Sequence, residues 1–165
     1  MKKLDVVAGV LERDARPDDL IVVIPWYCGI GFQRYYRGVA PWITLPDFDA
    51  HQLHLHLLVV EKMKLGDAGI APELERVERT LRQGGRVWLV GMPLMPRPGE
   101  PAPSLLPAPS GPEGSPVGPY LEGWQLQLGA RLRDHGRQFW HIPLPDHGPV
   151  NAHEDLPLLL VEGSS

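Results

Sequence analysis

Apolar residues along this chain switch between two spacings, and the switches lay out its elements. Leu4, Val7 and Leu11 recur at helical spacing, with Val6 and Val10 widening the stripe, until Arg16-Pro17-Asp18-Asp19 breaks it. Leu20 to Ile24 then runs unbroken and mostly β-branched, the mark of a strand buried on both faces. It meets a sharp corner at Pro25-Trp26-Tyr27. Gly29 and Gly31 lead from there into a helix expected over Gly31 to Arg37, with Gly38 as its C-cap. Trp42 to Leu45 reads as a short strand closed by Pro46, and His51 to Lys64 as a helix. The clearest helix carries Ile70, Leu74, Val77 and Leu81 on one face; Pro72 opens it and Gly84-Gly85 stops it. Arg86 to Val90 is a second buried strand. Leu121, Trp124, Leu128 and Leu132 stripe a last helix ended by Gly136, before short strands at Gln138 to Ile142 and Leu158 to Val161.

Strands alternating with helices predict an α/β fold: a Rossmann-like three-layer sandwich with a mostly parallel sheet of about five strands, joined by right-handed crossovers. Residues 1–165 read as a single domain. The runs ending at Ile24 and Val90 are the most hydrophobic and are expected as central neighbours. Ligands in open α/β sheets sit outside the carboxyl ends of the strands, so the corner after Ile24 is the first candidate site. Met92 to Pro119 interrupts the alternation with ten of the 19 prolines. Lacking so many backbone donors, this segment is expected to be neither helix nor central strand, but an exposed loop or a lid over the strand end at Gly91.

Composition narrows the function classes. With 165 residues and a 43% hydrophobic fraction the chain can build one substantial core, and its net charge of -4 gives no electrostatic reason to expect nucleic acid. Cys28 is the single cysteine, which excludes an internal disulfide. No apolar run approaches the ~18 residues of a membrane span, and Glu12 and Arg13 interrupt any secretory apolar region, so the chain as written is expected to be soluble.

Several patterns at the corner carry chemistry. Gly29-x-Gly31 after a strand suggests a dinucleotide loop, but Arg34 occupies the place of the third small residue and no acidic residue closes a second strand, so no cofactor is expected. Cys28 and Arg34 have the Cys-x5-Arg spacing of cysteine-dependent phosphatases. There a thiolate faces a helix N-terminus, loop N–H groups cradle phosphate, and the arginine clamps it from the first helical turn. Tyr27 before the cysteine, Tyr35 after the arginine and the lack of an Asp-Pro pair depart from that pattern, which leaves phosphatase chemistry as the alternative reading. On a helix His51 and His54 share a face, whereas His56 does not, and two ligands without a third predict no metal site. Aromatics crowd the same corner, and rings beside a fixed cation suit a sugar or an isoprenoid phosphate. The expected ligand-binding residues are Tyr27, Gly29, Gly31, Arg34, Tyr35, His51 and His54, with Tyr27, Arg34 and His51 converging.

The stretches DDLIVVIPWYCGIGFQRYYRG, APWITLPDFDAHQLH and TLRQGGRVWLVG together resemble the C-terminal region of bacterial membrane glycosyltransferases of the dolichyl-phosphate-mannose protein mannosyltransferase type. Pro25-Trp26-Tyr27, Arg34-Tyr35-Tyr36 and the pair His51 and His54 carry the likeness, while the apolar Leu55 to Leu57 departs from it. The resemblance implies a Rossmann-like domain on the extracytoplasmic side of a membrane, following a bundle of membrane helices that holds the catalytic acid and the polyprenyl-phosphate-sugar site. This chain contains no counterpart of that membrane part. The implied role is therefore non-catalytic: binding acceptor, lipid-linked sugar or a partner, with glycosyltransferase helices in the same or a partner chain.

Overall fold

The computed structural model describes residues 3–48, 55–105, 117–145 and 155–164. Its centre is a five-stranded sheet built from β1 (Leu20–Val23), β2 (Trp42–Thr44), β3 (Arg86–Val90), β4 (Gly136–Ile142) and β5 (Leu158–Gly163), in the order β2-β1-β3-β5-β4. The two most hydrophobic strands are indeed neighbours: β1 and β3 run parallel, with Leu20 opposite Val87 and Val23 opposite Val90. β2 lies parallel on the other side of β1, pairing Ile21 with Trp42.

The expectation of a mostly parallel sheet requires correction. β5 enters between β3 and β4 and runs antiparallel to both, so the sheet is mixed. The cause is topological. Ile142, the last residue of β4, lies opposite Leu158, the first of β5, so the connection leaves and re-enters at one edge and the second strand must run back. A short apolar run carries no sign of its direction, and nothing in Leu158 to Val161 could have signalled the reversal.

The pleat sorts strand side chains between two cores. Leu20, Val22, Ile24, Val87 and Leu89 face a cluster supplied by α3 (Leu55–Lys64), α4 (Ala71–Arg82) and α5 (Val117–His135). Ile21, Val23, Trp88 and Val90 face the opposite cluster, filled by α1 (Lys3–Asp14) and α2 (Cys28–Tyr35). No β1 side chain is more than 1% exposed, which at roughly 1.5–3 kcal/mol for each fully buried aliphatic makes this strand a principal source of stability.

Helix boundaries follow local chemistry, with corrections at both ends of α2, which is capped at Tyr36 and not at Gly38, and at the start of α5. α4 begins as its pattern predicts, with Pro72 in the first turn and Arg79 and Arg82 in the last, where their charge opposes the helix dipole. α2 starts at Cys28, three residues before the expected Gly31, because the N–H groups of Cys28 and Gly29 donate to the carbonyls of Pro25 (3.0 Å) and Trp26 (3.1 Å) and close a turn at once. The proline-rich segment was expected to exclude helix to Pro119. Instead α5 starts at Val117 and takes Pro119 into its first turn, where a missing N–H costs nothing.

The described part of that segment, residues 92–105, lies along α5. Pro93 and Pro96 are buried, and a Cβ at Gly129 would strike the Leu94 carbonyl. The Arg133 guanidinium donates to the carbonyls of Arg97 (2.9 Å) and Glu100 (2.7 Å), and Gln127 Nε2 donates to the Pro103 carbonyl at 3.4 Å. The segment thus straps a helix on one face of the sheet.

Candidate functional site

Two zipped strands place the corner. The N–H of Ile24 donates to the Val90 carbonyl at 2.8 Å, holding β1 against β3 one residue beyond the ladder. The chain after β3 can leave that closely only because Gly91 adopts φ +106°; a Cβ there would collide with the Ile24 carbonyl. Its N–H donates to Pro157 at 2.9 Å, which ties the entry to β5 to the same edge. The corner after β1, the start of residues 92–105 and the approach to β5 therefore share the carboxyl edge of the sheet.

The corner residues do not form a phosphate cradle. Cys28 is 8% exposed and sits in the core cluster with Val7, Phe32 and Val90. Two N–H groups of the first helical turn, those of Cys28 and Gly29, are already donated to backbone carbonyls. Gly31 serves packing: a Cβ on it would come 2.9 Å from Leu4 Cδ1, so the missing side chain lets α2 lie close against α1. Gly29 is buried within the same helix.

Arg34 occupies the last turn of α2, not the first, as a direct result of the earlier helix start. It is exposed, and among the described residues it has no ion-pair partner. Asp47, the next acidic residue in sequence, accepts the Thr44 N–H at 3.1 Å and closes the turn after β2. Tyr27 and Arg34 lie on one stripe but seven residues apart, about 10 Å along the axis. Tyr35 leans on the α1–α2 core. His51 and His54 lie outside the described residues, so the expected convergence reduces to Tyr27 and Arg34 at opposite ends of a short helix.

What the corner does assemble is a run of rings ending in a cation. Tyr27, 52% exposed, meets Trp26 edge-on with centroids 5.8 Å apart. Trp26 meets Phe48 edge-on at 6.3 Å, and the Lys62 ammonium stands 5.8 Å from the Phe48 ring centre. Lys62 also reaches Glu73 Oε1 at 3.3 Å, while Oε2 of this buried carboxylate has no hydrogen-bond partner among the described residues. Trp26 follows β1 and Phe48 follows β2, so both stand at the carboxyl edge. Sequence reading missed Phe48, Lys62 and Glu73, because eleven residues separate the last two and no spacing rule joins side chains from different helices.

Around the corner, several polar groups serve the fold. The Tyr36 hydroxyl donates to the Ala40 carbonyl at 3.0 Å, and Arg37 caps the end of α2 through the carbonyls of Gln33 (2.6 Å) and Tyr36 (2.8 Å). At the opposite, amino edge, Asp19 is 2% exposed and accepts from Arg86 Nη2 (2.7 Å) and Nε (3.1 Å), Trp88 Nε1 (2.9 Å) and the Arg16 N–H (2.9 Å). Its neighbours in sequence suggest only a turn.

Further clefts lie elsewhere. One of about 520 Å³ separates α4 from α5 and residues 102–104, lined by Asp67, Glu75, Glu78, Ser104, Gln127 and Arg131. Another of about 400 Å³ lies between Lys3, His141, Asp155 and Pro157, and the Lys3–Asp155 ion pair crosses it. Among the described residues no group of three or more His, Cys, Asp or Glu is placed to hold a metal ion, and no helix is long and apolar enough to cross a membrane.

Fold and corner together define an α/β domain with a mixed five-stranded sheet and an aromatic carboxyl edge. No family model, curated protein or solved structure matches the chain.

Proposed function

We propose that this chain is a non-catalytic binding domain, a variant of the Rossmann-like three-layer sandwich whose last inserted strand is reversed, working beside a membrane glycosyltransferase. Its occupant is an acceptor, a lipid-linked sugar or a partner segment, held at the carboxyl edge of β1 and β2. The observation that carries this reading is the run Tyr27–Trp26–Phe48 ending at Lys62: flat apolar faces next to a fixed ammonium, the pairing that a sugar or isoprenoid chain bearing a phosphate requires. The association with a glycosyltransferase, and with it the extracytoplasmic side of a membrane, rests on the sequence resemblance alone. The burial of Cys28 and the engagement of the first-turn amides favour binding over the phosphatase alternative.

The test is a titration of a short polyprenyl phosphate and of simple sugar phosphates, followed by tryptophan fluorescence. A saturable change that weakens in Tyr27→Ala and Lys62→Ala supports the site. No response at millimolar ligand, or one that both variants leave unaltered, refutes it. Arylphosphate turnover that disappears in Cys28→Ser would restore the phosphatase.

A further inference from the structure

The sheet has two outer strands, and they are finished differently. β2 is three residues long and sits between Pro41 and Pro46, a short edge that offers little to another chain. β4 has seven residues and is the longest strand; Arg137 to His141 are all exposed. Phe139 is 51% exposed and Trp140 49% exposed. Phe139 lies opposite Val161, which belongs to the α3–α5 core, and Trp140 lies opposite Leu160, which belongs to the α1–α2 core. One large ring is therefore left on each face of the same edge. The devices that usually blunt an edge are confined to its start, where a bulge falls at Arg137 between Gly136 and Gln138.

We propose that β4 is a self-association edge at which a second copy of this chain adds its own β4 in antiparallel pairing, joining two sheets into one of ten strands by a two-fold axis normal to the sheet. The commitment to a second copy comes from the strand itself. Its regular stretch, Gln138-Phe139-Trp140-His141-Ile142, contains no Lys, Arg, Asp or Glu and is followed by Pro143, which ends the pairing. Centred on Trp140, the antiparallel register sets Trp140 against its own copy, Phe139 against His141 and Gln138 against Ile142. An axis normal to the sheet keeps each residue on its own face, so aromatic pairs close both sides and no like charges oppose. Four half-exposed rings, at ~150–250 Å² for a whole side chain, contribute on the order of 300–500 Å² to the contact. With the backbone edge added this stays below the ~1,200–2,000 Å² of a standard stable interface, so the dimer is a weak one that forms at micromolar to millimolar protein.

Sedimentation velocity of the whole chain from about 1 µM to 1 mM reads the equilibrium directly. The expected result is a shift from monomer to dimer that Phe139→Lys and Trp140→Lys each abolish, with unchanged far-ultraviolet circular dichroism. Because Cys28 is buried, a second readout is available: Trp140→Cys should form a covalent dimer with oxidised glutathione, whereas Val39→Cys, exposed in the loop entering β2 at the other edge, should not. A monomer throughout the range, a dimer indifferent to both lysines, or equal cross-linking at Val39 overturns the proposal. None of these outcomes depends on the ligand proposed for the carboxyl edge.

Discussion

Asp19→Ala should be a costly truncation at the amino edge of the sheet. The carboxylate joins three separate elements: the Arg16 N–H of the turn before β1, and the Arg86 guanidinium and Trp88 indole of β3. Arg86 is held further by the Asp14 carbonyl at 3.0 Å, and its guanidinium lies 5.4 Å from the Trp88 ring centre. Removing the acid strands a guanidinium whose side chain is only 16% exposed, together with an indole N–H buried in the α1–α2 core. Breaking a buried pair from one side costs ~3–5 kcal/mol, and because Arg86 retains some access to water the lower end applies, about 3 kcal/mol. For a domain of this size that lowers the melting temperature by roughly 6–12 °C. Arg86→Met should cost more, nearer ~4 kcal/mol, because the carboxylate it abandons is 1% exposed and keeps only two neutral donors. Urea unfolding by circular dichroism, with the double variant to complete the cycle, measures both values. If Asp19→Ala cost under about 1 kcal/mol, the pair would be behaving as a solvent-screened surface bridge and the reasoning would fail.

Three further outcomes are expected. Gly91→Ala should destabilise by more than ~2 kcal/mol in the same assay, since it combines a positive φ with a collision at the Ile24 carbonyl, while Gly99→Ala, at φ +79° in open space, should cost less. Burial pushes the Tyr36 and Tyr120 phenols up, so folding favours their neutral forms; stability should be complete below pH ~10 and fall as pH rises through the higher folded values, a limb that Tyr36→Phe combined with Tyr120→Phe should flatten. Arg133→Ala should loosen residues 92–105 and speed thermolysin cleavage near Leu94 and Leu105 about tenfold, the equivalent of ~1.4 kcal/mol of local opening; an unchanged rate would mean that the buried prolines alone hold the segment.

The parts legible in the sequence are those decided by local periodicity. The strands at Leu20 and Arg86, the face Ile70-Leu74-Val77-Leu81 and the stop at Gly136 need only near neighbours to be recognised. The direction of β5 is set by where Ile142 ends, a long-range fact that Leu158 to Val161 does not carry. The corner was misread for a related reason. Glycine pairs after a strand suit phosphate, but they equally suit two helices in close contact, and only the position of Leu4 opposite Gly31 decides between these uses. Proline content likewise signalled the lack of helix at 92–105 but not the docking on α5, which depends on the Gly129 gap and on Arg133.

The distribution of polar burial bears on where function can reside. At the amino edge Asp19, Arg86 and Trp88 satisfy one another inside the fold, an arrangement that fixes β1 against β3 and leaves little for a ligand. At the carboxyl edge the backbone is equally fixed by Ile24, Val90, Gly91 and Pro157, yet Tyr27 is half exposed and Glu73 Oε2 has no hydrogen-bond partner among the described residues. A site needs rigid support below and unsaturated chemistry above. The carboxyl edge of β1 is the position at which open α/β sheets generally bind, and under the proposed function the aromatic run would give the ligand its apolar face and Lys62 the charge.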